Sequence, residues 1–354
     1  MRIDFPTTKH RLRRVNPRLL LLSAFALFVI PAASAQNAAS LVGKHSANLV
    51  FVSDAASAGA GSGFVCEFRG KPALFTNIHV AAGMQTPRFT RLDKTAVQTV
   101  GAPSLAVGHD ILHYALPPDA PVPTLVAATK IENVAAIGDE VFVLGNSEGA
   151  RVIAPLSGTI AGLGPDLIEV TAEFVPGNSG SPIIHAKTGL VLGIATYLSV
   201  RDQQWLSGDS KAPKVRRFGY RLDSVKNWQP VDWPTFAKDR AEVEKVQKLT
   251  ADLTFLLRDL RDGSIAFAQH TNPAIAPHVK AFGEKVASSV RISASDHAAA
   301  VTTFLRFMRS ASQQDIADAG RRIRYDYYRR ALADEKNVRT QITEIFDTLV
   351  KKLH

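Results

Sequence analysis

The chain has 354 residues, a hydrophobic fraction of 46% and a formal net charge of +10 at pH 7. These values fit about two globular domains and exclude a largely disordered protein. A single cysteine excludes an intramolecular disulfide framework. The ten histidines show no metal-ligand spacing, so the sequence predicts no metal and no cofactor.

Residues 1–35 have the pattern of a secretory signal peptide. Basic residues precede the apolar run Leu19–Ile30, and Ala33-Ser34-Ala35 offers a cleavage site before Gln36. The run is shorter than the ~20 residues that a membrane span needs, which favours export over an uncleaved anchor. Loss of six basic residues and one acidic residue lowers the net charge from +10 to +5. We expect a bacterial periplasmic or extracellular protein with no stable membrane span and no nucleic-acid partner.

The segment from Leu41 to Val225 reads as short apolar stretches separated by Gly, Pro, Asn and Asp. This pattern predicts antiparallel strands arranged in barrels. Cys66 follows Phe64-Val65 in a strand pattern and is predicted to be buried. Arg217–Leu222 is the last predicted strand, and Asp223-Ser224 is predicted to cap a closing helix.

A serine between glycines, in Gly177-Asn178-Ser179-Gly180, indicates a presented hydroxyl nucleophile. Such a hydroxyl needs a histidine base, a carboxylate that orients the histidine, and backbone donors for an oxyanion. His79 ends one apolar run, and Asp110 begins another. The order His, Asp, Ser is that of chymotrypsin-type proteases and differs from that of subtilisins and α/β-hydrolases. The candidate catalytic residues are His79, Asp110 and Ser179, and the N–H groups of Gly177 and Ser179 are the candidate oxyanion hole.

Several further stretches resemble one protease family. They are Gly61-Ser62-Gly63-Phe64, Thr76-Asn77-Ile78-His79-Val80, Gly138–Asn146 and Pro176–Pro182. Over roughly residues 45–228 the chain resembles a trypsin-like serine protease, most closely the HtrA-type protease domain. The resemblance implies an all-β, chymotrypsin-like double β-barrel that hydrolyses polypeptide substrates through an acyl-enzyme intermediate. No segment resembles the PDZ domain that usually follows the barrels in HtrA-type proteases.

Two positions depart from the family pattern. Ser181 stands where the family usually has a second glycine. The segment that usually reads Asp-Ile-Ala-Leu here reads Asp-Ile-Leu-His-Tyr-Ala-Leu from Asp110, and an alignment on Ala115-Leu116 would put His113 in the carboxylate position. Asp110 is preferred, because only a carboxylate can both accept a hydrogen bond from the imidazole and stabilise the imidazolium.

The strand Leu192–Leu198 is predicted to line the specificity pocket, with Thr196 and Tyr197 as substrate-binding residues. Glu173 lies six residues before Ser179, where trypsins carry their specificity aspartate. Ala195 stands where glutamyl endopeptidases carry a pocket histidine. We expect a small-to-medium apolar pocket.

The pattern becomes helical near Trp233, which divides the chain into a protease domain, 36–233, and an α-helical domain, 234–354. Apolar residues recur at spacings of three and four, as in five amphipathic helices of a small bundle. Their stripes are Val243 to Leu260, Val279 to Val290, Val301 to Met308, Ile316 to Tyr327, and Val338 to Leu353. Such stripes report burial and not what is buried, so the domain binds a protein partner, forms oligomers or presents substrate, or it only packs on the protease. The basic, tyrosine-rich run Arg321–Arg330 is either a recognition surface or the solvated face of a helix.

These features predict an exported serine endopeptidase. The alternative is a catalytically inactive binding or scaffold protein on a protease fold, whose helical domain recruits partners.

Overall fold

The computed structural model describes residues 40–54, 60–84, 86–121, 123, 125–201, 214–262, 302, 306, 309–310 and 314–353. Within these residues, antiparallel strands form one open sheet and one closed barrel. The open sheet has seven strands in the order β13-β5-β6-β3-β2-β1-β4. They are β1 (Leu49–Asp54), β2 (Ala60–Phe68), β3 (Lys71–Thr76), β4 (Pro87–Thr90), β5 (Val100–Ala106), β6 (Leu112–Ala115) and β13 (Trp228–Pro230).

The closed barrel has six strands in the order β10-β11-β12-β9-β8-β7. They are β7 (Glu140–Asn146), β8 (Ile153–Leu163), β9 (Leu167–Val170), β10 (Pro182–His185), β11 (Val191–Arg201) and β12 (Lys214–Arg221). The fold is therefore of the chymotrypsin-like β-barrel type, with one closed barrel and one half-barrel sheet. The predicted double β-barrel is confirmed in part, since one half is a closed barrel and the other half is an open sheet. The edge strands of the open sheet have only four and three residues, too few for a long ladder between them.

The junction after β12 differs from the sequence prediction. Asp223 and Ser224 lie in a turn that leads to β13, and no helix follows them directly. The next helix begins at Trp233, and the Asp232 carboxylate accepts a hydrogen bond from the Thr235 N–H at 3.1 Å. The cap was therefore assigned to the wrong aspartate, because the three-residue strand β13 carries no alternating pattern that the sequence could reveal.

Two apolar clusters hold the β-structure together. One cluster spans both halves, since Phe64 and Phe75 of the open sheet pack with Phe142 and Leu144 of the barrel. The other lies inside the barrel. Cys66 belongs to the shared cluster and is fully buried, which confirms its prediction as an apolar core residue. Burial raises the pKa of its thiol and keeps it protonated.

Helices accompany the strands, and three of them are α1 (Ile78–Ala81), α2 (Trp233–Asp262) and α3 (Asp326–Leu353). Further helical segments cover residues 40–45 and 314–322. Short 3-10 helices lie at Ser46–Asn48, Ile131–Asn133 and Ser147–Gly149. In the described part of the chain, no helix combines the length and apolar character needed to cross a membrane.

The helix boundaries agree only partly with the five predicted stripes. Helix α2 is described as far as Asp262, and because residue 263 lies outside the described residues the predicted stop at Asp262-Gly263 stays a prediction. The second stripe lies outside the described residues, and of the third only isolated positions are described. The fourth predicted helix is wrong in its extent, because helix 314–322 ends before Ile323 and α3 begins at Asp326. The Asp239 carboxylate of α2 accepts the backbone N–H groups of Arg324 and Tyr325 and thereby fixes this break.

The helices share a core with the open sheet. Val50, Leu74 and Tyr114 of the sheet belong to the same buried cluster as Phe236 of α2 and Tyr328 of α3. Phe236 is 1% exposed and its ring lies 5.2 Å from that of Tyr325 and 4.8 Å from that of Tyr328. The predicted boundary at Trp233 therefore separates strands from helices without separating their cores.

Phe236→Ala tests this shared core. Truncation of a buried phenylalanine is expected to lower the free energy of unfolding by about 3–5 kcal/mol. Because sheet and helices share the cluster, urea unfolding followed by helical circular dichroism and by tryptophan fluorescence should shift together. Phe255→Ala at an exposed position of α2 is the control and should change stability by less than ~1 kcal/mol. A shift in the helical signal alone would contradict a shared core.

Candidate active site

His79 lies in α1, directly after the strand β3. Its side chain is 39% exposed, so one edge of the ring reaches solvent. Ile78 and Ala81 of the same helix are fully buried and anchor the helix to the core. The short helix therefore presents the imidazole at the surface on a rigid support.

Asp110 holds His79 through both carboxylate oxygens. Oδ1 accepts the backbone N–H of His79 at 3.0 Å, and Oδ2 lies 2.5 Å from His79 Nδ1. Burial works against the charged imidazolium, but the attraction of Asp110 and the hydrogen bond to it outweigh this effect, so the pKa of His79 is raised above its ordinary value of 6.5. With Nδ1–H donating to Asp110, the neutral ring carries its lone pair on Nε2, as a general base requires.

His113, the alternative to Asp110, lies elsewhere. It is on β6, and its ring packs against Trp228 with the ring centres 4.5 Å apart. Burial lowers the pKa of His113 and keeps it neutral. Among these two candidates, the structure brings only Asp110 to His79.

Ser179 lies in a turn between β9 and β10. Its Oγ donates to the carbonyl oxygen of Thr196 at 3.3 Å, and within the described residues no hydrogen bond joins it to His79. Asn77 links Asp110 to β11, the strand that contains Thr196. Its Nδ2 donates to the Asp110 carbonyl at 2.7 Å and to Thr196 Oγ1 at 3.1 Å. The three candidate catalytic residues thus meet around Asn77 and Thr196, with the serine hydroxyl turned toward β11.

The two glycines around Ser179 occupy positions that other residues would strain. Gly177 has φ +95° and Gly180 has φ +89°, a region that side chains other than glycine rarely adopt. A Cβ on Gly177 would lie 2.3 Å from the Asn146 carbonyl, and one on Gly180 would lie 2.0 Å from the Ser62 carbonyl. The sequence motif therefore reflects both backbone conformation and close packing against two other segments.

Two carbonyl groups of this turn accept backbone hydrogen bonds, and these bonds determine the direction of the Gly177 and Ser179 N–H groups. The Pro176 carbonyl accepts from Glu148 N–H at 2.9 Å, and the Asn178 carbonyl accepts from Ser181 N–H at 2.9 Å. In a trans peptide the N–H points away from the preceding C=O, so the N–H groups of Gly177 and Ser179 point away from these bonds. Neither group has a hydrogen-bond acceptor within the described residues.

Ser62 of β2 links the nucleophile turn to the open sheet. Its Oγ donates to the Gly177 carbonyl at 2.8 Å and accepts the Asn146 N–H at 2.9 Å. Its own N–H donates to the Ser179 carbonyl at 2.9 Å, and its carbonyl accepts Thr76 Oγ1 at 2.8 Å. Two of these bonds hold the turn, one joins Ser62 to β7, and one joins Ser62 to Thr76 of the open sheet.

Ser181 fits beside the turn because its neighbour is a glycine. A Cβ on Gly145 would lie 1.7 Å from Ser181 Oγ. Ser181 is fully buried, and its hydroxyl has no partner within the described residues. The departure from the family pattern is therefore accommodated by packing, and the Ser181 side chain is directed away from solvent.

The predicted substrate-binding residues have different environments. Tyr197 is 38% exposed and stacks on Phe218 at 5.2 Å between ring centres. The Thr196 hydroxyl is buried and donates to the Ile194 carbonyl at 3.0 Å, so Thr196 has its carbonyl and not its side chain beside Ser179. Glu173 is exposed and Ala195 is fully buried in the barrel. Glu173 therefore does not provide a buried carboxylate that could bind a basic substrate side chain.

The helices reach the candidate site through α3. Arg330 donates from Nη1 to the Gly108 carbonyl at 2.7 Å and from Nη2 to the His109 carbonyl at 3.4 Å. These two carbonyls directly precede Asp110. Part of the basic, tyrosine-rich run is thus engaged with the protease fold, and Tyr325 and Tyr328 of this run are buried in the shared core.

Ser62, Asn77 and Arg330 were not assigned a role from the sequence. Ser62 and Asn77 stand inside motifs that were recognised as family patterns, so their positions were a usable signal. Arg330 contacts residues more than 200 positions away, and nothing in the basic run distinguishes it from its neighbours. Within the described residues, no cluster of three or more His, Cys, Asp or Glu side chains could hold a metal ion.

Gly177→Ala tests the crowding of the nucleophile turn. The added methyl group is expected to displace the turn and to reduce hydrolytic turnover by at least ~100-fold, because small misplacements at a reacting centre are costly. Gly189→Ala is the control, since Gly189 also has positive φ but open space around its Cβ position. The control should lose only about 1 kcal/mol of stability and keep its turnover. Equal losses in both variants would show that backbone strain, and not crowding, governs the turn.

Arg330→Ala tests the support of the Asp110 loop by α3. Loss of the two hydrogen bonds is expected to loosen Asp110 and to lower kcat by about tenfold or more. The midpoint of the pH–rate profile should also fall, because a loosened Asp110 raises the pKa of His79 less. Arg321→Ala, which removes an exposed arginine paired with Asp318, is the control and should match the wild type. A lower kcat with an unchanged midpoint of the pH–rate profile would show that Arg330 does not act through Asp110.

Comparisons with known proteins agree with the fold and the motifs. Residues 61–194 match the family model of the trypsin-like peptidase domain. Protease Do-like 1, chloroplastic, of Arabidopsis thaliana is 31% identical over 159 residues, which are 40% of this chain and 33% of that protein. The chain thus matches about a third of that curated relative.

Solved structures that match part of the chain include a serine endoprotease from Yersinia pestis, at 20% identity and a TM-score of 0.39 over 52% of this chain and 62% of the other. The HtrA-type protease AlgW with tripeptide has 22% identity and a TM-score of 0.40 over 53% of this chain and 60% of the other. The resemblance to trypsin-like proteases read from the sequence motifs is confirmed, because residues 61–194 match the trypsin-like peptidase domain and a Do-like protease is among the similar proteins.

Proposed function

We propose that this protein is an exported serine endopeptidase that uses Ser179, His79 and Asp110. The proposal rests on the two contacts of the Asp110 oxygens with His79. They fix the orientation and the tautomer of the imidazole ring, and they raise its pKa. A core histidine or a surface ion pair does not require such an arrangement beside a glycine-flanked serine. The family match of the domain supports a peptidase reaction.

In the proposed mechanism, Ser179 Oγ attacks the carbonyl carbon of a peptide bond while His79 Nε2 takes its proton. Asp110 stabilises the imidazolium that forms. The N–H groups of Gly177 and Ser179 donate to the developing oxyanion, a contribution of about 3 kcal/mol for each donor. His79 then gives its proton to the leaving amine, and a water molecule activated by the same histidine releases the acyl group from Ser179.

The orientation of Ser179 bears on the alternative function. Its hydroxyl donates to the Thr196 carbonyl in the structure, which is the one observation that favours a binding or scaffold protein without catalysis. A change of χ1 alters the partner of a serine hydroxyl without moving the backbone, and catalytic hydrogen bonds are often loose before substrate binds. We therefore keep the enzyme as the proposed function.

Export and polypeptide substrates belong to the same proposal. The signal pattern of residues 1–35 supports an exported bacterial protein of the periplasm or the exterior. The peptidase family supports polypeptide substrates and gives no reason to expect nucleic acid. Residues 36–233 would supply the catalytic part, and residues 234–354 would supply the helices that support it and offer a surface to partners.

Labelling with a fluorophosphonate tests the proposed nucleophile. The wild type should gain one covalent adduct by intact mass, and Ser179→Ala should gain none, because only an activated hydroxyl reacts. Ser181→Ala, two residues away, should still be labelled and thus controls for the second serine of the motif. Absence of labelling in the wild type would favour the scaffold alternative.

The labelling rate should rise with pH through the pKa of His79. The base must be neutral to accept the serine proton, and Asp110 raises this pKa, so the midpoint should lie above 6.5. A rate that is flat between pH 5 and pH 9 would contradict His79 as the base.

A further inference from the structure

Arg217 lies on the inner face of the closed barrel, near the end of the strand β9. It lies on β12, directly opposite Val170 of β9. Val170 is buried in the barrel core, and side chains directly opposite one another in an antiparallel pair lie on the same face of the sheet. Gly219, two residues further along β12, faces the same way, because a Cβ there would lie 2.3 Å from Ile183 Cδ1 of that core. The guanidinium is thus placed beside apolar core residues.

Arg217 also lies between the two chain segments that border Ser179. Its Nε donates to the carbonyl of Phe174 at 3.1 Å, and Phe174 belongs to the turn segment that leads to Ser179. In the pair β11–β12 it lies opposite Leu198. Leu198 follows closely after Thr196, whose carbonyl accepts the hydrogen bond from Ser179 Oγ at 3.3 Å. The strand β11 is the one that the sequence predicts to line the specificity pocket, so Arg217 lies where substrate side chains are expected.

The guanidinium of Arg217 keeps most of its binding capacity. An arginine has five N–H donors, and within the described residues this one uses only its Nε. The next residue, Arg216, differs, because it makes a bidentate ion pair with Glu169 at 2.8 and 2.6 Å on the other face of the sheet. Arg217 is partly buried and has no ion-pair partner in the described part of the chain. Such a cation favours an anionic ligand, because pairing offsets its loss of hydration.

We propose that Arg217 is a specificity-determining residue, which binds the carboxylate of an aspartate or glutamate on the amino side of the scissile bond. The inference rests on the proposed function and names its substrate class as polypeptides with acidic residues. The planar guanidinium matches both oxygens of a carboxylate, and the apolar residues beside it suit the carbon chain of the acidic side chain. The apolar pocket expected from the sequence thereby gains one cation.

Two fluorescein-labelled hexapeptides test this preference. They are Ala-Ala-Pro-Glu-Ala-Ala and Ala-Ala-Pro-Gln-Ala-Ala, which differ in charge and hardly in shape. The wild type should cleave after glutamate with a kcat/KM at least about tenfold higher than after glutamine, as expected for a charge-assisted pair. Arg217→Gln should bring this ratio close to one, and Arg217→Lys, which keeps the cation, should retain a preference for glutamate. Arg216→Gln loses the same charge at the adjacent position and should keep the wild-type ratio.

Binding of the same peptides separates this inference from the catalytic proposal. In the full chain with Ser179→Ala, anisotropy measures affinity without cleavage, and the glutamate peptide should have a Kd at least about tenfold lower than the glutamine peptide. Equal affinities, or a preference that survives the addition of Arg217→Gln, would overturn the role of Arg217 and leave Ser179 as the proposed nucleophile. A preference that depends on Arg217, in a protein whose wild type does not react with a fluorophosphonate, would remove the protease function and leave a binding site for acidic peptides.

Discussion

Three hydrogen bonds of Ser62 join the two halves of a site that no single sheet contains. His79 and Asp110 come from the open sheet and its loops, whereas Ser179 comes from the barrel. Relative movement of about 1 Å between such halves is enough to disable a reacting centre. Ser62 prevents it, because its hydroxyl, N–H and carbonyl are bonded to the nucleophile turn and to Thr76 at once. The apolar cluster around Phe75 and Phe142 supplies the burial beneath these bonds.

The helices also hold parts of the candidate site in place, because they pack against the open sheet. Phe236 and Tyr328 complete a core that the sheet begins, and Arg330 reaches the backbone just before Asp110. The helical segments are also tied to one another by buried polar groups. Arg339 is 1% exposed and is paired with Asp315, and it donates to Thr250 and to the Val246 carbonyl. Such a buried charge is costly unless each of its donors is satisfied, so these contacts fix how the helices pack.

The sequence predicted the elements whose chemistry is local. A glycine-flanked serine, a histidine at a strand end and the order of the motifs are visible along the chain, and the fold class followed from them. The contacts that join distant segments were not visible. Ser62 was recognised only as part of a strand motif, because its role depends on Gly177, which is 115 positions away. The break before α3 was missed for a similar reason, since it depends on Asp239 and not on the local apolar stripe. Open-sheet geometry was missed because short edge strands carry little pattern.

Ser62 positions Ser179 against His79. The most direct test of this role is the rate of fluorophosphonate labelling of Ser62→Ala as a function of pH. We expect a rate at least about tenfold lower than that of the wild type, because the turn is misplaced. The pH midpoint should stay unchanged, because within the described residues the hydrogen bonds of Ser62 go to neither His79 nor Asp110. A wild-type rate, or a slower rate caused only by a shifted midpoint, would contradict this role of Ser62.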